Sequence, residues 1–568
     1  MQYALSYRVS GIPYALFAKF DFGEKKGDFA KIYWPCMGKK PIVRVLQKMT
    51  ARESKITSPK PSCRFAFFKE KCAMTPLIGL VCLYMLASIG VGLWAARRVR
   101  NTADYALAGR SLPLAMVITA TFATWFGSET ILGMPGNFIS GGFDEIIEEP
   151  FGSGMALVLV GMFFARKLYK MNLLTIGDFY RRKFSPNIEL ACSIFIIISY
   201  LGWVGAQVAA LGMVLNLVTE GAVSVSAGMM IGTFVVLFYT VYGGMFSVAF
   251  TDFFQMMLIV LGLVAIAIYA SDMAGGVEKV IDFAHQRDLF NFTPDDKSMT
   301  SWLFWISSAM TMMIGSIPQQ DVFQRVMSAK DAGTAVKGPI MGGVFYIFFA
   351  FIPMFIVCAA VLAMPGQGQE LLESDPQQLL PVLVRDFMPW WLKVLFFGAV
   401  LAAVMSTASA TMLAPTTTFV NNVLKHHVHI QDDKELLWMR GTLVIFAICV
   451  LGYSLYFEGT KIYDMVAMAY QFPVVGAFFP LVCGMYWEKA TEQGAWVSII
   501  AGAITWMLLT WTPLEEYFPN VLGGFIVAGV GMVVGSLLPT RANARFRLLK
   551  ERRAKFEAKQ AVAIGLAS

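Results

Sequence analysis

Charge is scarce in this chain. Only 15% of its 568 residues are Asp, Glu, Lys or Arg, where soluble domains carry about 25%, and that shortage excludes a globular protein with a fully solvated surface. Histidine is scarcer still, with four in all, three of them in "KHHVH" at 425–429; they read as a basic patch at headgroup level rather than a metal site. The eight cysteines contain no C-x-x-C pair and no metal-ligand spacing, so they read as small apolar residues and not as a redox or zinc framework. Walker A, H-E-x-x-H and G-x-S-x-G are all absent, which removes support for ATP-driven transport and for the common intramembrane hydrolases. No nucleophile, metal or cofactor constellation points to an enzyme. The net charge of +8 does not indicate a nucleic-acid partner either, because the basic residues sit at the ends of apolar runs and in the tails.

What is abundant is apolar surface: 57% of residues are hydrophobic and the mean hydropathy is +0.60. A membrane-spanning helix needs roughly 20 predominantly apolar residues. On that rule the sequence predicts an all-α polytopic membrane protein with thirteen spans, near 76–96, 112–139, 148–169, 188–216, 223–241, 248–271, 300–318, 338–363, 391–422, 437–457, 462–484, 494–512 and 520–538. Lys and Arg collect after odd-numbered spans, as Arg97, Arg98, Arg100 and Arg110, then Arg166 to Lys183, then Arg325, Lys330 and Lys337, and finally the tail "RANARFRLLKERRAKFEAK". The even-numbered loops are acidic or neutral, with "DEIIEE" at 144–149 the clearest case. The positive-inside rule then puts the C-terminus in the cytoplasm and the N-terminus outside, in a plasma (inner) membrane.

Residues 1–73 run against that rule, since their fifteen Lys and Arg against five acids would have to be translocated. Met74 begins "MTPLIGLVCLYMLASIGVGLW", a natural start for such a protein. The expected layout is therefore a basic N-terminal extension over 1–73, lying ahead of the natural start or else a genuine tail, a transmembrane domain over 74–540 and a basic cytoplasmic tail over 541–568.

Two spans carry helix breakers in their interior. The first reads "TATFATWFGSETILGMPG", with Gly127, Gly133 and Pro135; the other reads "SSAMTMMIGSIPQQDVF", with Gly315 and Pro318. Broken helices at corresponding positions of two halves are the sequence pointer to an inverted-repeat secondary transporter, here with repeats over about 112–271 and 300–484; two ordinary proline kinks are the plainer reading. A third stretch, "LAAVMSTASATMLAPTTT" at 401–418, lies in a run without charge from Val394 to Val423 yet is dense in hydroxyls. Sodium is a hard cation that takes several oxygen ligands; an unwound helix offers free carbonyls and a neighbouring straight helix can add hydroxyls. Ala403, Ser406 and Thr407 fall at i, i+3 and i+4 on one face. Ser409 and Thr416 to Thr418 read instead as hydroxyls bonded to carbonyls one turn back.

These residues, together with "YGGMFSVAFTDFFQ" (242–255), "IGSIPQQDVFQRVMSAKDA" (314–332) and "LAAVMSTASATMLAP" (401–415), resemble the sodium/solute symporter family over nearly all of 76–538. The resemblance implies a LeuT-type fold with a 5+5 inverted repeat, and sodium held by the carbonyls of Ala123, Phe126 and Ala403 and the hydroxyls of Ser406 and Thr407. Relatives with a second sodium site use an Asp on the span corresponding to the fourth; "IFIIISYLGWVGAQVAALG" has no acid, so one sodium is expected. Within the family, "ATWFGS", "LGWVGAQVAALG" and "GSIPQQDVFQRV" resemble choline transporters, which cage a quaternary ammonium with aromatic rings. Trp125 and Trp203 match two cage positions, whereas Ser153 and Gln319 stand where those proteins have Tyr and Trp. Proline transporters of the family carry an Asp where Trp125 stands.

Glu129, one turn beyond Trp125, is an intramembrane acid and thus a candidate for solute binding, or else a packing acid near the outer mouth. Asp252 and Arg325, near cytoplasmic span ends, are candidates for an inner-gate ion pair or for interfacial anchors. The function expected is sodium-coupled import of a small organic solute, choline or a related quaternary or zwitterionic amine. A proline-like amino acid symporter and a transporter-like membrane sensor are the alternatives.

Overall fold

Leu114–Trp125, Met134–Gly141, Met299–Gly315 and Gln320–Ser328 are short helical pieces where the sequence predicts two whole spans, and these interruptions organise the rest of the molecule. The computed structural model describes residues 76–563, with side chains over 77–552; the expected extension over 1–73 and the last residues of the tail lie outside the described residues. Within them the secondary structure is helical, apart from one isolated parallel bridge between Leu112 and Ala329. In a medium without water each backbone N–H and C=O must be satisfied within its own segment, which leaves helices as the spanning element for such a chain.

Polar caps set where helices begin. Thr175 and Asp178 form a reciprocal capping box, while Ser185, Ser298, Asp331 and Thr491 each accept a backbone N–H from the first turn that follows. Each cap satisfies one of the donors that a helix start leaves unpaired.

Nine helices among the described residues are long and apolar enough to cross a membrane, or ten if the pair Ile462–Gly476 and Phe478–Tyr486, bent by 44°, counts as one span. The thirteen expected spans differ from this count where helices break or fail to end, not in apolar content. The predicted 112–139 span is in pieces of which the longest is Leu114–Trp125, and 300–318 stops at Gly315. The predicted spans 223–241 and 248–271 belong to one element, Val225–Ala274. That element bends at Gly244, whose φ of 49° and ψ of −140° belong to a region that side chains rarely adopt; an added Cβ would also lie 2.3 Å from the Tyr105 carbonyl oxygen.

Helix Trp390–Thr418 is the centre of the bundle. In its membrane-length window 89% of residues are buried, against 22% in Leu77–Ala96 and in Glu435–Tyr456. It packs against Pro186–Val218, Val225–Ala274 and Leu114–Trp125, so its hydroxyl-rich face is turned to protein and not to lipid.

Candidate functional site

Helix Leu114–Trp125 ends abruptly because Phe126 leaves helical geometry (φ −86°, ψ 67°), and the chain resumes as a wide turn over Glu129–Gly133. Gly127 sits in the gap. A Cβ there would lie 2.6 Å from Glu129 Oε2, 2.9 Å from Thr407 Oγ1 and 3.0 Å from Gln207 Oε1, so a larger residue would displace the polar side chains that meet at the break.

The break leaves the Ala123 carbonyl turned toward the central helix. Ser406 Oγ lies 3.1 Å and Thr407 Oγ1 3.3 Å from that oxygen. Three of the five expected sodium ligands are therefore joined by hydrogen bonds; Phe126 lies at the break itself and Ala403 one turn before Thr407, both fully buried. All five offer oxygen, the donor type a hard monovalent cation takes. One neighbour was not anticipated: Asp252 Oδ1 is 2.5 Å from Ser406 Oγ, and Asp252 Oδ2 is buried without a partner.

Asp252 and Arg325, the expected gate or anchor residues, are both buried, and among the described residues no ion pair joins them. Arg325 instead donates to the Asp321 carbonyl (2.6 Å), the Ala120 carbonyl (3.3 Å) and the Thr124 hydroxyl. It ties Gln320–Ser328 to the last turn of Leu114–Trp125.

On the other side of the break the aromatic residues gather. The Trp125 and Trp203 ring centroids are 5.5 Å apart, and Tyr470 lies 5.9 Å from the first and 5.3 Å from the second. Tyr200 stacks on Trp203 at 6.0 Å. Glu129 is held against this cluster, accepting from Trp203 Nε1 at 3.0 Å and from Gln207 Nε2 at 2.6 Å, while Gln207 Oε1 accepts from the Ser128 backbone. A tight gap, too small in this structure to admit a water molecule, is lined by Trp125, Glu129, Glu149, Ser153 and Tyr470 together with Met312 and Val466. Ser153 is among these lining residues. Gln319 is not; its amide donates to Ser199 at 2.9 Å, bracing the second break against Pro186–Val218.

Two lining residues escaped the sequence. Tyr470 stands in "AMAYQFPVVG" with nothing to distinguish it from the packing aromatics around it. Glu149 belongs to "DEIIEE", where acids read as an external loop. In the structure its side chain is 1% exposed and its Oε1 accepts from Tyr346 OH (2.5 Å) and from the Thr130 hydroxyl. The charge pattern gave no sign that this acid is buried.

Comparison with known proteins agrees with this geometry. The High-affinity choline transporter 1 of Caenorhabditis elegans is 25% identical over 458 residues, covering 76% of this chain and 77% of that protein. The Sodium/proline symporter of Escherichia coli (strain K12) is 25% identical over 492 residues, covering 82% and 93%. The Sodium/glucose cotransporter of Vibrio parahaemolyticus is 25% identical over 484 residues, covering 77% and 85%. The solved structure of a Na+-coupled sialic acid symporter in a substrate-bound outward-open state shares the fold, with a TM-score of 0.72 at 18% identity over 81% of this chain and 97% of that one. The Sodium:solute symporter family matches residues 105–502, more than two thirds of the sequence. The broken helix, the hydroxyl pair facing it and this match lead to one conclusion: the chain belongs to the sodium:solute symporter family, and is a sodium-coupled transporter rather than an enzyme.

Proposed function

We propose that this protein carries one sodium ion and a small organic solute inward together across the plasma membrane, with choline or a related quaternary or zwitterionic amine as the solute. The observation that carries the reading is the approach of Ser406 and Thr407 to the single Ala123 carbonyl at a helix break. Sodium bound there as cargo takes the Ala123, Phe126 and Ala403 carbonyls and the two hydroxyls as ligands. It replaces hydroxyl-to-carbonyl bonds with ion-to-oxygen bonds on both helices, which clamps the broken span to the straight one. Loss of the ion on the cytoplasmic side releases the clamp, and the two helices part.

The amine reading rests on the rings of Trp125, Trp203 and Tyr470 beside Glu129. An aromatic face attracts an ammonium by roughly 0.5–2 kcal/mol. Two helices interrupted after Trp125 and Gly315, and a bend at Gly244 in an element of about 75 Å at 1.5 Å per residue, support thirteen membrane passes arranged as a LeuT-type 5+5 inverted repeat. The Lys and Arg distribution supports an external N-terminus and a cytoplasmic C-terminus. One charge moving through 100 mV yields roughly 2.3 kcal/mol, enough for about fifty-fold accumulation before the sodium gradient is added.

The test is uptake of labelled choline, betaine and proline into proteoliposomes with and without an inward sodium gradient. Uptake that rises at least tenfold with the gradient is expected for one of the amines. Equal uptake with and without sodium for all three overturns the coupling.

A further inference from the structure

The cavity beside the first break holds two carboxylates, Glu129 and Glu149, and no Lys, Arg or His among its lining residues. Both acids are buried, at 2% and 1% exposure, and among the described residues neither takes part in an ion pair. The donors that reach them are neutral: Trp203 and Gln207 for Glu129, Thr130 and Tyr346 for Glu149. Such bonds orient a carboxylate without cancelling its charge, and an uncompensated buried charge costs several kcal/mol. Their environments differ. Glu129 Oε2 and Thr407 Oγ1 both lie within 3 Å of the position a Gly127 Cβ would take, so Glu129 borders the proposed sodium site. Glu149, on Asp144–Met171, is held by Thr130 of the broken span and by Tyr346 of Ala332–Phe349, and has no hydrogen bond to the Ser406 and Thr407 pair.

From this geometry we infer that Glu149 is the charge partner of the transported solute, and that the solute is a small protonated amine carrying N–H donors and no carboxylate. The inference rests on the sodium-coupled transport reading above, and it replaces the choline-like solute of that reading with an amine that keeps its N–H groups. Two features of the cavity carry it, and its lack of a cation excludes two other solute classes. Trp125 and Tyr470 supply aromatic faces for a cation. Glu129, Glu149 and the Ser153 hydroxyl supply acceptors, which a protonated amine satisfies with its N–H groups and a trimethylammonium group cannot. A zwitterion such as betaine or an amino acid brings its own carboxylate to a site that already holds two and has no cation to receive it. A neutral sugar leaves both charges unmatched.

Ethanolamine and choline make a matched pair of probes, since they differ only in the three N-methyl groups. Binding of ethanolamine, choline, betaine and proline to the purified full-length transporter in saturating sodium is followed by intrinsic tryptophan fluorescence, and uptake of each is measured in proteoliposomes with and without a sodium gradient. Ethanolamine is expected to bind at least tenfold more tightly than choline, and betaine and proline at least thirtyfold more weakly than ethanolamine. Glu149→Gln is expected to weaken ethanolamine binding at least thirtyfold, and Glu149→Asp to restore most of that loss. Tighter binding of betaine or proline than of either amine overturns the inference, as does a Glu149→Gln protein that binds ethanolamine within threefold of the unmodified one. The probe panel on the unmodified protein decides the matter even if the variants do not accumulate. The two readings fail separately: sodium-driven uptake of betaine or proline in preference to amines keeps the symporter and removes this pocket assignment. Amine uptake indifferent to sodium keeps the pocket and removes the coupling.

Discussion

The two broken spans carry the same sequence signal, Gly and Pro inside an apolar run, yet the structure uses them differently. At the first break the freed Ala123 carbonyl meets hydroxyls of a separate helix, and the side chains just beyond it line a cavity. At the second break the polar side chains bond to the scaffold through one group each, while Gln319 Oε1, Gln320 Nε2 and Asp321 Oδ2 are buried without a partner. Gln319 donates to Ser199, Gln320 Oε1 accepts from the Ile176 backbone, and Asp321 exchanges two hydrogen bonds with the Tyr200 hydroxyl, at 2.6 Å and 2.9 Å. Gly315 lies so close to Tyr470 that an added Cβ would sit 2.4 Å from its carbonyl oxygen. A break in a membrane helix is thus an opportunity for polar chemistry, and what faces it decides between ligand binding and bracing.

This contrast is sharpest in the sodium dependence. Ser406→Ala and Thr407→Ala each remove one oxygen from the first break while the helix still packs, so the sodium concentration for half-maximal uptake is expected to rise tenfold or more at unchanged abundance. A sodium titration of uptake checks this, and an unchanged midpoint in both variants would erase the distinction between the breaks. Next in size is the solute. Trp125→Ala and Tyr470→Ala should each weaken binding by roughly tenfold, about 1.4 kcal/mol, in the upper part of the cation–π range; competition binding at fixed sodium measures it.

Bracing predicts the opposite pattern. Tyr200→Phe at the second break leaves Asp321 short of a donor, at a cost of about 1–3 kcal/mol. Thermal unfolding in detergent should show the loss while the sodium midpoint stays within twofold. A shift in sodium midpoint with unchanged stability would make the second break a ligand site after all. Smallest of all is the effect of shortening the chain to begin at Met74: sodium-driven uptake is expected to match that of the full chain, because charges around the first span already set its orientation. Lost uptake at normal abundance would give residues 1–73 a role in transport.

Much of the first break was legible because its parts carry strong local signals. A Gly–Pro interruption frees carbonyls, and Ser406 with Thr407 stands out against an uncharged run. Trp125 and Trp203 were legible only through resemblance, since an aromatic residue in an apolar helix has no pattern of its own. Tyr470 is the instructive miss, separated from Trp125 by 345 positions of chain yet stacked beside it. Glu149 was misread for a different reason: in sequence, burial and exposure of an acid near a span end look the same, and the neighbouring Asp144, Glu145 and Glu148 argued for water. The predicted spans and the long helices part company at Gly244, where one element, Val225–Ala274, bends between two predicted spans.

The hydroxyls of the central helix have a consequence for how the protein is made. Ser409, Thr411, Thr416, Thr417 and Thr418 all donate to backbone carbonyls three or four residues earlier in their own helix, at 2.6–3.2 Å. A segment that satisfies its own polar groups can leave the ribosome and partition into the bilayer without first docking against its neighbours, despite its composition. Ser406 and Thr407 are different, since their partner, Ala123, was synthesised nearly three hundred residues earlier. These two hydroxyls are thus satisfied only once the helix has met the Ala123 carbonyl, whereas the other five are satisfied within the helix itself.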